Sequence, residues 1–345
     1  MNIASQLSDQ KLEATLLGVR STINFLPFRL SETVTDGLLS EQLGGSDLPP
    51  WQRARQLLAL HLALLHLGRP EEALRIADEL EPLARKIGQS LSIAYCLSTR
   101  ALIDFGKIPD LAELEAAFQR VWKYDREASS AFEVMSEVRL SLVDFFRGSW
   151  TSALLHAQAS RRRELRSSME GFAVGTLFRQ MAYLGDRNGA FAVLAEERAL
   201  LPRSSQPNTS GSWVMLLLVI EGLVMLGERS QSSDFYPLVR ELIDTGAVVL
   251  WSISRFTQTI AGVAAAAARQ WEAAEEHFGI AMQQAASFPY RLEQAEIRRF
   301  HAMMLLDRAA SGDREKAQTL LREALENYTQ IGMPRHIEIT KALLG

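Results

Sequence analysis

The chain has 345 residues, 47% of them apolar, with a formal net charge of −4 and a single cysteine. This composition allows a large core, argues against a strongly electropositive nucleic-acid binder, and excludes an internal disulfide because Cys96 has no partner. Met1 to Gln10 lacks the basic start and apolar core of a secretory leader. The most apolar run, Trp213 to Leu226, contains Glu221 and is too short to span a bilayer, so a cytoplasmic protein with no membrane partner is expected.

Residues 1–50 are the least regular part. Leu12 to Phe25 is patterned as an amphipathic helix, Pro27 interrupts it, and Leu38 to Leu43 adds a short helix. Gly44-Gly45-Ser46-Asp47-Leu48-Pro49-Pro50 is a break. The segment reads as an irregular helical lead-in or an atypical first repeat.

From Trp51 the pattern becomes periodic. A turn residue followed five positions later by a small residue recurs as Gly68/Ala73, Gly148/Ala153, Gly185/Ala190, Arg269/Ala274 and Gly312/Ala317. Gly106/Leu111 and Gly227/Ser232 fit more weakly. Successive turn residues are 38, 42, 37, 42, 42 and 43 apart, a step typical of stacked helix pairs. Glycine permits the left-handed conformation that ends a helix, and the small residue lets two helix backbones approach. Asp186 and Asp313 are placed to favour the start of the next helix. No stretch alternates with period two, so no sheet is expected. Trp122-Lys123-Tyr124 and Pro202 to Ser212 are expected to be loops.

The two C-terminal units, Ala274/Phe278/Ala281 and Ala317/Leu321/Ala324, resemble the tetratricopeptide repeat, although the steps exceed that family's usual length. The fold expected is therefore all-α: a right-handed superhelical solenoid of about seven antiparallel helix pairs over 51–334. A capping helix over 335–345 follows it. Trp271 to Phe278, Met304 to Arg308, Gly312 to Ala317, Ala324 to Tyr328 and Ile331 to Pro334 are together similar to the tail of large bacterial signalling proteins. In those, a nucleotide cyclase or helix-turn-helix domain is joined to an ATPase module and then to a helical-repeat sensor. The resemblance implies a regulatory repeat domain; an alternative is a detached C-terminal portion of a cyclase or ATPase regulator. No phosphate loop, cyclase metal motif or nucleophile elbow is present, so no catalytic residue, cofactor or metal is expected.

In tetratricopeptide geometry the residue six before each turn faces the concave groove. Those positions are Leu62, Arg100, Leu142, Arg179, Glu221, Val263 and Leu306, with Asp104 and Tyr183 on the same surface. Arg100, Asp104, Arg179, Tyr183 and Glu221 are the candidate binding residues, because an arginine fork can hold a carboxylate of a peptide or protein, or a small ligand. The competing expectation is that Arg179 and Glu221 simply pair with each other. Arg161-Arg162-Arg163 with Arg166 reads as a solvated outer face rather than a nucleic-acid grip, since no aromatics are interleaved. The six histidines lack metal-ligand spacing, and Cys96 sits among apolar residues, so packing roles are expected for all of them. Trp213, Trp251 and Trp271 stand near helix starts and read as packing between repeats.

Overall fold

The structure is a computed structural model, and it describes residues 9–129, 132–163, 169–288 and 290–345. It is a file of helix hairpins. Helices α1 (Gln10–Phe25) and α2 (Leu30–Gln42) form the first. Then come α3 (Pro50–His66) with α4 (Pro70–Ile87), α5 (Ser90–Lys107) with α6 (Leu111–Ala128), and α7 (Glu133–Arg147) with α8 (Trp150–Arg163). Next are α9 (Phe172–Tyr183) with α10 (Arg187–Glu196), and α11 (Ser210–Met225) with the broken pair α12 (Arg229–Ser233) and α13 (Tyr236–Asp244). The file ends with α14 (Thr257–Ala267) and α15 (Trp271–Ser287), α16 (Arg291–Arg308) and α17 (Asp313–Ile331), and a last helix α18 (Pro334–Leu344).

The turn chemistry is what the spacing implies. Gly68, Gly148, Gly185, Gly227 and Gly312 all have positive φ, and Arg269 takes the same conformation at φ 58°. The five alanines that follow at the fifth position, Ala73, Ala153, Ala190, Ala274 and Ala317, are all fully buried. A larger side chain there would push the two helices of a hairpin apart. Asp186 caps α10, its carboxylate accepting from the Gly189 N–H at 2.9 Å.

Three expectations fail in detail. Gly106 is not a turn residue: it lies inside α5, and the chain turns at Ile108 to Asp110. It must be small because a Cβ there would stand 2.2 Å from the Tyr290 ring. Trp122 to Tyr124 is helical, part of α6, where the Tyr124 hydroxyl receives Arg85 at 3.0 Å. A sheet does exist, though only as a two-residue antiparallel ladder, β1 (Val249–Leu250) against β2 (Arg255–Phe256), with Val249 opposite Phe256. It is too short to leave an alternating pattern. Among the described residues no helix is long and apolar enough to cross a membrane, and the apolar run from Trp213 lies in the buried α11.

The ribbon β1–β2 reaches back to the start of the file. Val248 N–H donates to His66 O at 2.7 Å, and the Trp251 indole N–H donates to Leu65 O at 2.7 Å. The last carbonyl of α3, His66 O, is thus capped from far along the chain, and Leu65 O, which already accepts from the Gly68 N–H at 2.9 Å, gains a second donor. Tyr290, just before α16, packs against Gly106 of α5, and Pro334 and Arg335 of α18 lie against Gly148 at the end of α7. The later hairpins therefore rest on the inner helices of the earlier ones.

Candidate functional site

The first helices of four successive hairpins, α3, α5, α7 and α9, share an inner wall with the ribbon. Between them lies a cleft of about 110 Å³. Leu62 and His66 come from α3, Tyr95 from α5, Met135 from α7, Phe172 from α9 and Trp251 from the ribbon. Phe25 closes one end. The lining is apolar and aromatic, with methionine supplying adaptable surface.

Its polar groups are mostly held by the protein. Burial lowers the His66 pKa to about 4, so the ring is neutral at pH 7 and its Nδ1–H donates to Val249 O at 2.9 Å. Which nitrogen carries the proton follows from that carbonyl partner. His61, one turn away, is likewise lowered to about 4 by burial; it donates to Ala73 O and accepts from Thr99. Tyr95 is pushed up to about 12 by burial, and its hydroxyl touches the Met169 sulfur at 3.5 Å. Arg139, on the wall, is ion-paired with buried Asp125, which also accepts from Ser136 at 2.5 Å. The Ser252 hydroxyl is buried without a hydrogen-bond partner among the described residues.

Deeper, behind α9, lies a cluster of buried charge. Arg255 of β2 meets Glu221 at 3.0 Å, Glu293 at 2.9 Å and Glu296 at 3.2 Å. Arg299 pairs with Glu296 at 2.7 Å and donates to the Tyr183 hydroxyl at 3.0 Å, which in turn donates to Glu221 at 2.8 Å. Tyr328 donates to Glu296, and the Phe256 N–H to Glu293. Burial opposes ionisation of Glu296, yet Arg299 and Arg255 hold its carboxyl well below the usual range. Burial wins at Glu293, whose carboxyl is raised despite Arg255. Arg179 is treated differently. Its guanidinium lies 4.3 Å over the Phe145 ring, and its Nε and Nη1 have no hydrogen-bond partner among the described residues. Burial lowers its pKa.

The five residues singled out in the sequence fall in two places. Arg179, Tyr183 and Glu221 come together in the buried cluster, but Glu221 takes Arg255 as its partner rather than Arg179. Arg100 and Asp104 line a separate groove of about 960 Å³ between α4, α5 and α6. There Arg100 pairs with Asp78 at 2.7 Å and lies 3.7 Å from Glu81. On α5 that groove receives Leu97, Arg100, Ala101 and Asp104, whereas the inner cleft receives Tyr95, Ser98, Thr99 and Leu102. At 3.6 residues per turn these are opposite sides of one helix. Counting from Gly106 as a turn put α5 in the wrong register; counting from Gly68 placed Leu62 on the inner wall, where it is.

The remaining candidates are packed or paired inside the protein, although both His336 ring nitrogens and the Trp213 indole N–H lack a hydrogen-bond partner among the described residues. Cys96 is buried, its thiol pushed up to about 12 by that burial. Arg161 pairs with Glu196 and Glu197; the Arg163 side chain and Arg166 lie outside the described residues. His277 lies 2.9 Å from the Tyr236 hydroxyl and 2.6 Å from Gln258. Among the described residues no group of three or more His, Cys, Asp or Glu side chains could hold a metal ion.

No protein-family model matches the chain, and no curated protein matches it. Among solved structures it is similar to that of a Rap protein complexed with competence and sporulation factor. The TM-score is 0.51 with 10% sequence identity, over 96% of each chain. At that identity the likeness shows the fold: an all-α helical-repeat array of the tetratricopeptide type.

Proposed function

We propose that the chain is a non-enzymatic binding module that seats an apolar side chain of a peptide or protein partner in its inner cleft. The observation that carries this is the cleft itself: about 110 Å³, walled by the first helices of four hairpins, apolar, and with most of its polar groups already bonded. An apolar cavity of roughly 150 Å³ holds a benzene-sized group, so this one suits a single branched or aromatic side chain. The helical-repeat fold is typical of scaffolds rather than enzymes. The similar Rap structure holds competence and sporulation factor, which supports a ligand-binding use of the architecture. A regulatory role in a bacterial signalling or transcription system is the setting that the C-terminal resemblance implies.

On this reading Arg179, Tyr183 and Glu221 belong to the buried cluster that fixes the wall of the cleft, and Arg100 and Asp104 offer a separate outer contact. The test is selection from a random peptide library displayed on phage. Binders enriched on the native chain should share one large apolar residue. They should lose binding to Leu62→Trp, which fills the cleft from a half-buried position, and keep it with Arg100→Ala. Binders that ignore Leu62→Trp would overturn the proposal.

A further inference from the structure

Two histidines of α3 are held alike, and only one is complete. His61 and His66 are both buried and neutral, and each donates its Nδ1–H to a backbone carbonyl at 2.9 Å, Ala73 O and Val249 O respectively. That leaves Nε2 of each ring as an acceptor. In His61 it receives the Thr99 hydroxyl at 3.0 Å. In His66 no described residue donates to it, although the ring lines the inner cleft. Phe25 stacks on the His66 ring and Phe28 tilts against it, so its neighbours hold it in place.

Ser252 is the second incomplete group. It stands in the turn of the ribbon beside Trp251 and lines the same cleft, and its hydroxyl is buried with no partner among the described residues. The ribbon is bonded to α3 at Leu65 and His66, so both groups belong to one clamped part of the cleft. The other polar side chains of the lining are engaged: Ser98 with Ala94 O, Thr99 with His61, Tyr95 with the Met169 sulfur and Arg139 with Asp125. A buried polar group left unpaired is costly, and a ligand that completes it recovers that cost.

We infer that the side chain seated in the cleft is a tyrosine of the peptide or protein partner. This rests on the proposed use of the cleft and narrows it to one residue type. A phenol hydroxyl donates to His66 Nε2 and accepts from the Ser252 hydroxyl, which completes both, while its ring meets the apolar and aromatic lining. Phenylalanine and leucine leave both groups bare. An indole N–H completes His66 and leaves Ser252 without a partner. Serine and threonine bring a hydroxyl but no ring to fill the space between Leu62, Tyr95, Met135 and Phe172.

The experiment uses two small probes on the full chain labelled with ¹³C-methyl methionine and ¹⁵N-histidine. p-Cresol stands for the tyrosine side chain and toluene for that of phenylalanine. The phenol is the better hydrated of the two, so a merely apolar cleft takes toluene more tightly. The expected order is the reverse: both probes shift the Met135 and Met169 methyls, with p-cresol at least about tenfold tighter. The His66 Nε2 resonance should move with p-cresol and stay with toluene. Ser252→Ala, which removes a hydroxyl that bonds to no described residue, should cut the preference by about threefold or more and leave toluene binding unchanged. Toluene binding at least as tightly as p-cresol overturns the tyrosine and leaves an apolar cleft standing. A p-cresol preference that neither moves His66 Nε2 nor falls in Ser252→Ala overturns it as well. If neither probe moves Met135 or Met169, the proposed use of the cleft falls and the tyrosine with it.

Discussion

The indole N–H of Trp251 donates to the carbonyl oxygen of Leu65 at 2.7 Å, joining residues 186 positions apart. With the Val248 to His66 bond beside it, this contact makes the ribbon a lid on the end of α3 and one wall of the inner cleft. The Trp251 ring also packs edge-on to Phe288 and Tyr290, so the clamp is tied to the hairpins on either side of it.

Trp251→Phe keeps most of that packing and removes the donor. Leu65 O keeps the Gly68 N–H at 2.9 Å, so the loss is that of one net hydrogen bond, about 0.5–1.5 kcal/mol. Thermal unfolding should show the loss, and hydrogen exchange should show faster exchange of the Val248 amide than in the native chain.

The buried charges are unequal, and substitution should rank them. Arg255 neutralises Glu221 and Glu293 in a site closed to water, so Arg255→Met strands those carboxylates and should cost about 3–5 kcal/mol. Arg179→Met removes a cation whose Nε and Nη1 have no hydrogen-bond partner among the described residues and replaces its stacking on Phe145 with apolar contact. It should cost at least about 2 kcal/mol less than Arg255→Met. Urea denaturation of the two variants decides the order, and equal losses would mean that Arg179 is as integral to the cluster as Arg255.

Stability should fall as the solution is acidified below neutrality. His61 and His66 are lowered by burial to about 4 and His336 to about 3, against an ordinary value of about 6.5. Between the folded and ordinary values the unfolded chain binds more protons than the folded one. Unfolding free energy therefore rises with pH through that window and is lost as pH drops from about 6.5 toward 4. Melting curves at a series of pH values should show this slope. Histidine ring resonances of the folded chain should include four, those of His61, His66, His301 and His336, that do not titrate above pH ~5, since burial lowers His301 to about 4 as well.

Gly106 tests how firmly the later hairpins rest on the earlier ones. Gly106→Ala drives a methyl into the Tyr290 ring and should cost about 1–3 kcal/mol, although alanine is the better helix former. Tyr290→Leu in the same chain should recover part of the loss. A Gly106→Ala variant as stable as the native chain would mean that this contact does not form.

Those positions also show what was legible in the sequence. The hairpin register was readable at Gly68, Gly148, Gly185 and Gly312 because each supplies a local need, positive φ, with a buried alanine five residues later. Gly106 looked the same and serves another purpose, room for an aromatic ring from a distant hairpin. Nothing local distinguishes the two uses. The buried cluster was half visible: Arg179, Tyr183 and Glu221 stood out as polar residues in apolar helices. Their partners Arg255, Glu293, Glu296 and Arg299 did not, because those sit on elements that meet α9 only after the array folds back. The ribbon left no signal at all, since two residues per strand cannot show alternation. Arg100 and Asp104 were assigned to the inner wall through the misread Gly106 and belong to the opposite side of α5.

Recognition in the inner cleft is tested most directly with the methionine methyl groups as probes. In a chain labelled with ¹³C-methyl methionine, Met135 and Met169 line the cleft, while Met304 and Met333 are buried elsewhere. Titration with a library-selected peptide should shift the Met135 and Met169 resonances in a saturable way and leave Met304 and Met333 where they were. A saturated complex in which neither Met135 nor Met169 moves would contradict recognition in the cleft.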